Sequence, residues 1–334
     1  MSFSFINGIL PNFKGVRILI VGDIMLDIYL YGMVNRMSPE FPVPVVNLES
    51  RKYYLGGAAN VAANIKALGA KVEICSVIGN DKEAKVVSSL FKEAELDFSG
   101  VVQSDLRMTT RKNRVIGNNK QLVRIDEEDD FCLTKDEEEK LIIQVERKVK
   151  ELSPHAIILQ DYNKGVLSLN VINSITQLAQ NENIKICVDP KKKNFDKYND
   201  VYIFKPNLKE FCEYNRSVPK INIPDLLSQM QKFQEKHNIN IFLLTMADKG
   251  VLISDKNGRS YHFPAYIRQI SDVSGAGDTV ISIASLLAAV DADIEEIAYI
   301  SNVAGGLVCE KSGVATITVE ELNKELIKYK SIKQ

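Results

Sequence analysis

Tryptophan is absent from this 334-residue chain, and histidine occurs only as His155, His237 and His262. The three histidines show no ligand spacing, so a structural zinc site is not expected. Cysteine is sparse as well. Cys75, Cys132, Cys187, Cys212 and Cys309 are odd in number, widely separated and form no C-x-x-C pair. Cys75 and Cys187 lie in apolar strand-like runs, the setting of buried reduced thiols in a reducing cytosol. No apolar run reaches membrane-spanning length, and residues 1 to 12 lack both a basic leader region and a cleavage site. An excess of charge is missing too: 42 Lys and Arg against 43 Asp and Glu leave a net −1, no broad footprint for nucleic acid or membrane. The run Lys191-Lys192-Lys193 and the acidic stretch 126 to 130 are short and read as solvated faces. The loop G-x-x-x-x-G-K-[ST] is lacking, which excludes a P-loop nucleotide site. What remains is a globular chain with 45% hydrophobic and 25% charged residues, expected in the cytoplasm, without nucleic-acid or membrane partners.

The pattern that is present is regular. Residues 16 to 21 form a short apolar run ending at Gly22-Asp23, as in a buried parallel strand. Helices are predicted over 58 to 68, 82 to 94, 137 to 152, 167 to 181, 224 to 237, 279 to 290, 294 to 309 and 319 to 329. Strands are predicted over 72 to 78, 156 to 159, 185 to 188, 201 to 204, 241 to 245, 250 to 254 and 261 to 264. Strands alternating with helices imply an α/β fold with a mostly parallel central sheet and helices on both faces. Two excursions differ. Residues 29 to 49 carry Pro39, Pro42 and Pro44 around alternating apolar positions, and residues 109 to 126 alternate about a Gly117-Asn118-Asn119 turn. They are expected to form a small β lid on a single domain spanning 1 to 334. In such sheets ligands bind beyond the carboxyl ends of the strands. Those ends carry Asp23 and Asp27, Asp161, Asp189, Asn207 with Glu210, and Thr245 with Asp248.

The stretch Asp272-Val273-Ser274-Gly275-Ala276-Gly277-Asp278-Thr279 precedes a run rich in Ala, Leu and Ile. Glycines let backbone amides converge, and the first amides of a helix have no internal partner, so the turn can bind an anion. Asp278 would be repelled by a bound phosphate unless it accepted the proton of a hydroxyl attacking the phosphoryl group. A plain loop with Asp278 as a helix-terminal charge or cap is the competing reading.

Together with Gly56-Gly57-Ala58-Ala59-Asn60, this stretch resembles the paired signatures of the ribokinase-like (PfkB) carbohydrate kinases. Asn207-Leu208-Lys209-Glu210 is similar to the N-x-x-E motif of that family, and the resemblance covers residues 16 to 326. Within the family it is closest to members that phosphorylate D-glycero-D-manno-heptose 7-phosphate in ADP-heptose synthesis. The stretches that carry this are Val21-Gly22-Asp23-Ile24-Met25-Leu26-Asp27, Ser38-Pro39-Glu40-Phe41-Pro42-Val43-Pro44-Val45, Gln121-Leu122-Val123-Arg124-Ile125-Asp126 and Asp161-Tyr162-Asn163-Lys164-Gly165. Some such members are fused to a nucleotidyltransferase bearing an H-x-G-H motif. That motif is absent and the chain ends soon after its last helix, so the kinase part alone is expected.

The resemblance implies a ribokinase-like fold, the use of ATP and Mg2+, and a homodimer formed through the lid. It implies that Asp278 is the general base for the anomeric hydroxyl and that the amides of Gly275, Ala276 and Gly277 cradle the transferring group. Asp27, Gly56, Gly57, Asn60 and Asp161 would bind the sugar, although Asp161 reads equally well as a strand cap. Asn207, Leu208, Lys209 and Glu210 would organise nucleotide and metal, the metal largely through water by way of Asn207 and Glu210; a capping box accounts for the same pair. Thr245, Gly250 and Asn302 would lie on the nucleotide side. The substrate phosphate needs cations. The candidates are Arg36, Arg111, Arg114, Arg124 and Lys164, with Lys164 and Arg36 chosen. The alternatives are a kinase of this family for another sugar, such as fructose 6-phosphate or ribose, and a non-catalytic sugar- or nucleotide-binding protein.

Overall fold

A computed structural model describes residues 10, 13–216, 222–265, 272–311 and 313–332. The stretch read above for a leader therefore lies, apart from Leu10, outside the described residues. The chain opens with β1 (Arg17–Gly22), β2 (Ile24–Met37), β3 (Pro44–Gly57), α1 (Ala58–Ala67), β4 (Lys71–Gly79) and α2 (Lys82–Glu93). There follow β5 (Val101–Ser104), β6 (Arg111–Gly117), β7 (Lys120–Glu127), α3 (Lys135–Leu152), β8 (Ala156–Gln160), α4 (Leu169–Asn181), β9 (Lys185–Asp189) and β10 (Ile203–Phe204). The remainder is α5 (Leu208–Tyr214), α6 (Ile223–His237), β11 (Ile241–Thr245), β12 (Val251–Asp255), β13 (Ser260–Phe263), α7 (Ala276–Ala289), α8 (Ile294–Val308) and α9 (Val319–Ile332).

Among the described residues nine strands form one sheet in the order β13-β12-β11-β10-β9-β8-β1-β4-β5. All neighbours from β11 to β5 pair in parallel, and β12 and β13 close one edge antiparallel. The reason is visible in β1. Ile18 and Ile20 face one core cluster with α1, α7 and α8, whereas Leu19 and Val21 face a second with α3, α4 and α6. A strand buried on both faces needs a continuous apolar run rather than alternation. The mostly parallel sheet with helices on both faces is thus the one the periodicity implies.

The two excursions form a second sheet, in the order β3-β2-β6-β7. Asn118 and Asn119 both take positive φ, 51° and 62°, in the turn joining β6 to β7. This is a backbone that asparagine tolerates and that matches hairpin twist. Both lid strands at the amino-terminal end are longer than predicted: β2 begins at Ile24 and β3 runs to Gly57, so each is rooted in the main body. Asp27 consequently lies within β2 and not at the end of the first strand. The predicted strand 201 to 204 shrinks to Ile203–Phe204, because the Lys192–Lys197 segment before it coils into a 3₁₀ turn and buries Phe195. Cys75, Cys187 and Cys212 are buried and Cys132 is exposed. No described helix is long and apolar enough to cross a membrane.

Candidate active site

Four neighbouring strands each deliver a polar side chain to the same end of the main sheet. Asp23 follows β1, Gln160 ends β8, Asp189 ends β9 and Lys205 follows β10. Above them sits the start of α7, whose residues from Asp278 to Ala288 are buried throughout. Gly275 is the N-cap with φ 82°, in the left-handed region, and no side chain caps the helix. The first amides of α7 are therefore left to any anion placed before them, with the helix dipole in its favour. A β-carbon on Gly277 would lie 3.7 Å from Lys205 Nζ, so a buried ammonium sits directly behind the turn.

Asp278 occupies the first turn of α7 and is 4% exposed. Its Oδ2 accepts a hydrogen bond from Asn60 Nδ2 at 2.7 Å. Its Oδ1 accepts from the Tyr162 hydroxyl at 2.8 Å and from Gln160 Nε2 at 3.1 Å. Burial pushes its carboxyl up to about 6, with Asp189 adding in the same direction, while Asn60, Tyr162 and Lys205 pull against it. At neutral pH it is therefore an ionised carboxylate with a depth of basicity that an exposed aspartate lacks.

Asn60 comes from the first turn of α1, immediately after Gly56 and Gly57. Both glycines have steric reasons. A β-carbon on Gly56 would meet Asp27 Oδ2 at 2.3 Å, and one on Gly57, at φ 60°, would meet the Asp23 carbonyl oxygen at 2.3 Å. Asn64, one turn on, donates to the Asn60 carbonyl at 2.9 Å and accepts from Thr279 Oγ1 at 3.1 Å, tying α1 to α7. Asp27 is buried and ion-paired to Arg114, whose guanidinium lies 5.1 Å from the Tyr29 ring centroid.

A second group lies at the ends of β10 and β11. Asn207 caps α5, accepting from the Glu210 amide at 2.9 Å, while Glu210 Oε2 accepts from the Asn207 amide at 3.1 Å. This capping box coexists with an outward task, since Glu210 Oε1 also receives Lys191 Nζ at 2.5 Å. Leu208 and Lys209 begin α5, and Lys209 is largely exposed. Thr245 bridges in parallel to Asn207. Gly250, at φ 85°, packs so close to the Phe263 carbonyl that a β-carbon would lie 1.9 Å from it. Asn302 of α8 donates to the neighbouring Pro264 carbonyl at 3.0 Å. Lys191 links the two groups: its Nζ lies 5.2 Å from the Tyr162 ring centroid. Lys191, read as part of a solvated run, is instead the joint between them: burial works against its charge, but Asp189 and Glu210 outweigh it and keep the ammonium charged.

Three readings change here. Asp161 is 1% exposed, and its oxygens are taken by Asn163 N (2.7 Å), Asn194 Nδ2 (2.8 Å), Tyr198 OH (2.8 Å) and, more distantly, Lys191 N (3.4 Å). That carboxylate fastens loops, so the strand-capping reading fits it. Arg36 lies in the exposed outer part of β2, opposite Val45. Nine residues of strand beyond Asp27 separate the two by roughly 30 Å. Within one chain it is remote from Asp278. Lys164 stands at the lid root but is bound to Glu128 Oε1 at 2.7 Å. The other cations considered are paired too: Arg111 with Glu83 and Glu127, Arg124 with Asp126.

Sequence reasoning overlooked Gln160, Tyr162 and Lys205. Each follows or ends a parallel strand, as Asp23 and Asp189 do. No group of three or more metal-binding side chains exists among the described residues. Asn207 and Glu210, with one oxygen of Glu210 held by Lys191, fit an ion held through water better than one coordinated directly.

The sequence matches the pattern of the pfkB family carbohydrate kinases over residues 17–321. It is 36% identical over 312 residues to bifunctional protein HldE of Aliarcobacter butzleri, covering 92% of this chain and 64% of that protein. It is 38% identical over 336 residues to bifunctional protein HldE of Methylobacillus flagellatus, covering 100% and 68%. The chain thus spans 64% of the length of the first of these relatives. The structure superposes on Escherichia coli phosphofructokinase-2 in complex with potassium with a TM-score of 0.77 at 18% identity, over 94% of this chain and 99% of that one. It superposes on Thermotoga maritima ribokinase at 0.70 and 18%, over 93% and 99%. At these identities the structural likeness speaks for the fold.

Proposed function

Since the chain belongs to the pfkB family of carbohydrate kinases, we propose that it transfers the γ-phosphoryl group of ATP to the anomeric hydroxyl of D-glycero-D-manno-heptose 7-phosphate. The product is the 1,7-bisphosphate and Asp278 is the general base. The observation that carries this reading is the place of Asp278: a buried, ionised carboxylate on the first turn of an uncapped helix, held by Asn60, Gln160 and Tyr162.

The attacking hydroxyl gives its proton to Asp278 as it closes on the γ-phosphorus. In such transfers charge stabilisation and placement outweigh proton removal. Charge on the transferring group falls before the amides of the Gly275-Ala276-Gly277 turn and above Lys205. Asp27, Gly56, Gly57 and Asn60 lie around the sugar; Asn207, Glu210, Thr245, Gly250 and Asn302 lie toward the nucleotide, with Leu208 and Lys209 between. Asn207 and Glu210 would hold Mg2+ through water, where it would supply charge neutralisation to the phosphates. The lid root carries Lys164 and Arg114, which exchange their carboxylates for the substrate phosphate and hydroxyls. The similarity to the HldE proteins supports a phosphorylated heptose as the sugar.

A panel of sugars and sugar phosphates with Mg-ATP, followed by phosphorus NMR, tests the substrate. Heptose 7-phosphate is expected to gain an anomeric phosphate signal at a rate well above fructose 6-phosphate or ribose. Turnover of unphosphorylated sugars only refutes the assignment.

A further inference from the structure

The Asp278 carboxylate is held unevenly. An ionised carboxylate offers about four acceptor positions, two on each oxygen. On Oδ1 both are filled, by the Tyr162 hydroxyl at 2.8 Å and Gln160 Nε2 at 3.1 Å. On Oδ2 one is filled, by Asn60 Nδ2 at 2.7 Å. We propose that Tyr162 is a positioning residue for Asp278: with Gln160 it anchors Oδ1, so that Oδ2 is the oxygen presented to the acceptor hydroxyl. This rests on Asp278 being the base.

Further contacts support it. Tyr162 is fixed through its backbone as well: Asp23 accepts from the amides of Tyr162 (2.7 Å), Lys164 (3.2 Å) and Val166 (3.2 Å). The ring is pinned from the side by Lys191, which Glu210 holds in turn. Burial, with Asp278 and Asp189 nearby, pushes the Tyr162 phenol well above its ordinary value, so it stays an O–H donor throughout the working range. In the reaction the sugar hydroxyl loses its proton to Oδ2 and Tyr162 keeps its own. The tyrosine supplies one hydrogen bond to the charged form of the base and takes no part in the transfer.

The charged groups around this pair are Asp189 and Lys205 from the strand ends, Asp27 from β2, and Lys191 with Glu210 beside the ring. Tyr162→Phe removes the hydroxyl while leaving the ring against Lys191 and the three amides on Asp23. Loss of a hydrogen bond to a charged group is expected to raise the acid limb of the kcat/KM profile by about one pH unit. The KM for ATP is expected to stay within about twofold, since the ring contact survives. Gln160→Leu, removing the other Oδ1 donor, is expected to shift the limb the same way. An acid limb that stays at the wild-type position in whichever of the two variants melts cooperatively overturns the proposal. So does a limb that tracks only the substrate phosphate, as its phosphorus shift would show. Failure of the underlying reading looks different: Asp278→Asn would then retain turnover.

Discussion

At the scale of single residues, the chemistry depends on a carboxylate kept out of water. Asp278 and Asp23 are both pushed up to about 6 by burial, Asp278 further by Asp189 and Asp23 further by Asp161. Between about pH 4 and 6 the folded state binds protons at these two carboxyls that the unfolded chain has already released, so their contribution to stability declines as pH rises through that window. With Asp278 as the proposed base, activity runs the opposite way, because the base must be ionised. The acid limb against which Tyr162→Phe is read should therefore fall near pH 6, with no loss of stability from these two groups on acidification. Asp278 and Asn60 were legible in the sequence because glycine patterns mark them. Gln160, Tyr162 and Lys205 were not, since their meeting depends on β8 and β10 lying two strands apart in the sheet, which no local spacing records. Asp161 shows the converse: an acidic strand end whose oxygens fasten Asn163, Asn194 and Tyr198.

At the scale of elements, the site is the join of α1 to α7 across the end of β1. The Asp278–Asn60–Asn64–Thr279 chain of hydrogen bonds is that join. Gly275 makes it possible, being both left-handed and close packed: a β-carbon there would lie 2.9 Å from Asn60 Nδ2. Gly275→Ala should cost about 1–2 kcal/mol from the backbone alone. The more telling effect is displacement of Asn60 from Asp278. We expect a drop of a few degrees in Tm, with kcat lowered by about tenfold or more while the KM for ATP changes little. Unchanged turnover would show that the turn is not shaped around Asn60. The helices were legible from their apolar period, although α3 begins at Lys135, after a Thr134–Glu137 capping box, and not at 137. β10 was legible as a strand over 201 to 204, but its two-residue length was not.

At the scale of the whole molecule, the lid carries apolar surface that a lone chain leaves in water. Met37 is 54% exposed, Phe41 72%, Val43 52%, Val123 49% and Ile125 49%. Exposed sheet surface and edges of this kind need a cover. We propose that a second copy supplies it, lid against lid, which would also bring the remote Arg36 near a neighbouring chain. Sedimentation at micromolar concentration is expected to give a dimer, and Phe41→Asp combined with Val123→Asp a monomer. A monomeric parent chain would refute this. The two-sheet architecture was legible because the proline-rich and alternating excursions broke the α/β rhythm; the depth of their roots was not, since β2 and β3 enter the core on residues indistinguishable from those of the parallel strands.

The claim on which the rest depends is that Asp278 takes the proton of the acceptor hydroxyl. Asp278→Asn keeps the side chain's size and removes its basicity. With saturating Mg-ATP and heptose 7-phosphate, turnover should fall by at least about a hundredfold, while calorimetry shows ATP bound with nearly the parent affinity. Turnover within a few-fold of the parent protein would contradict it.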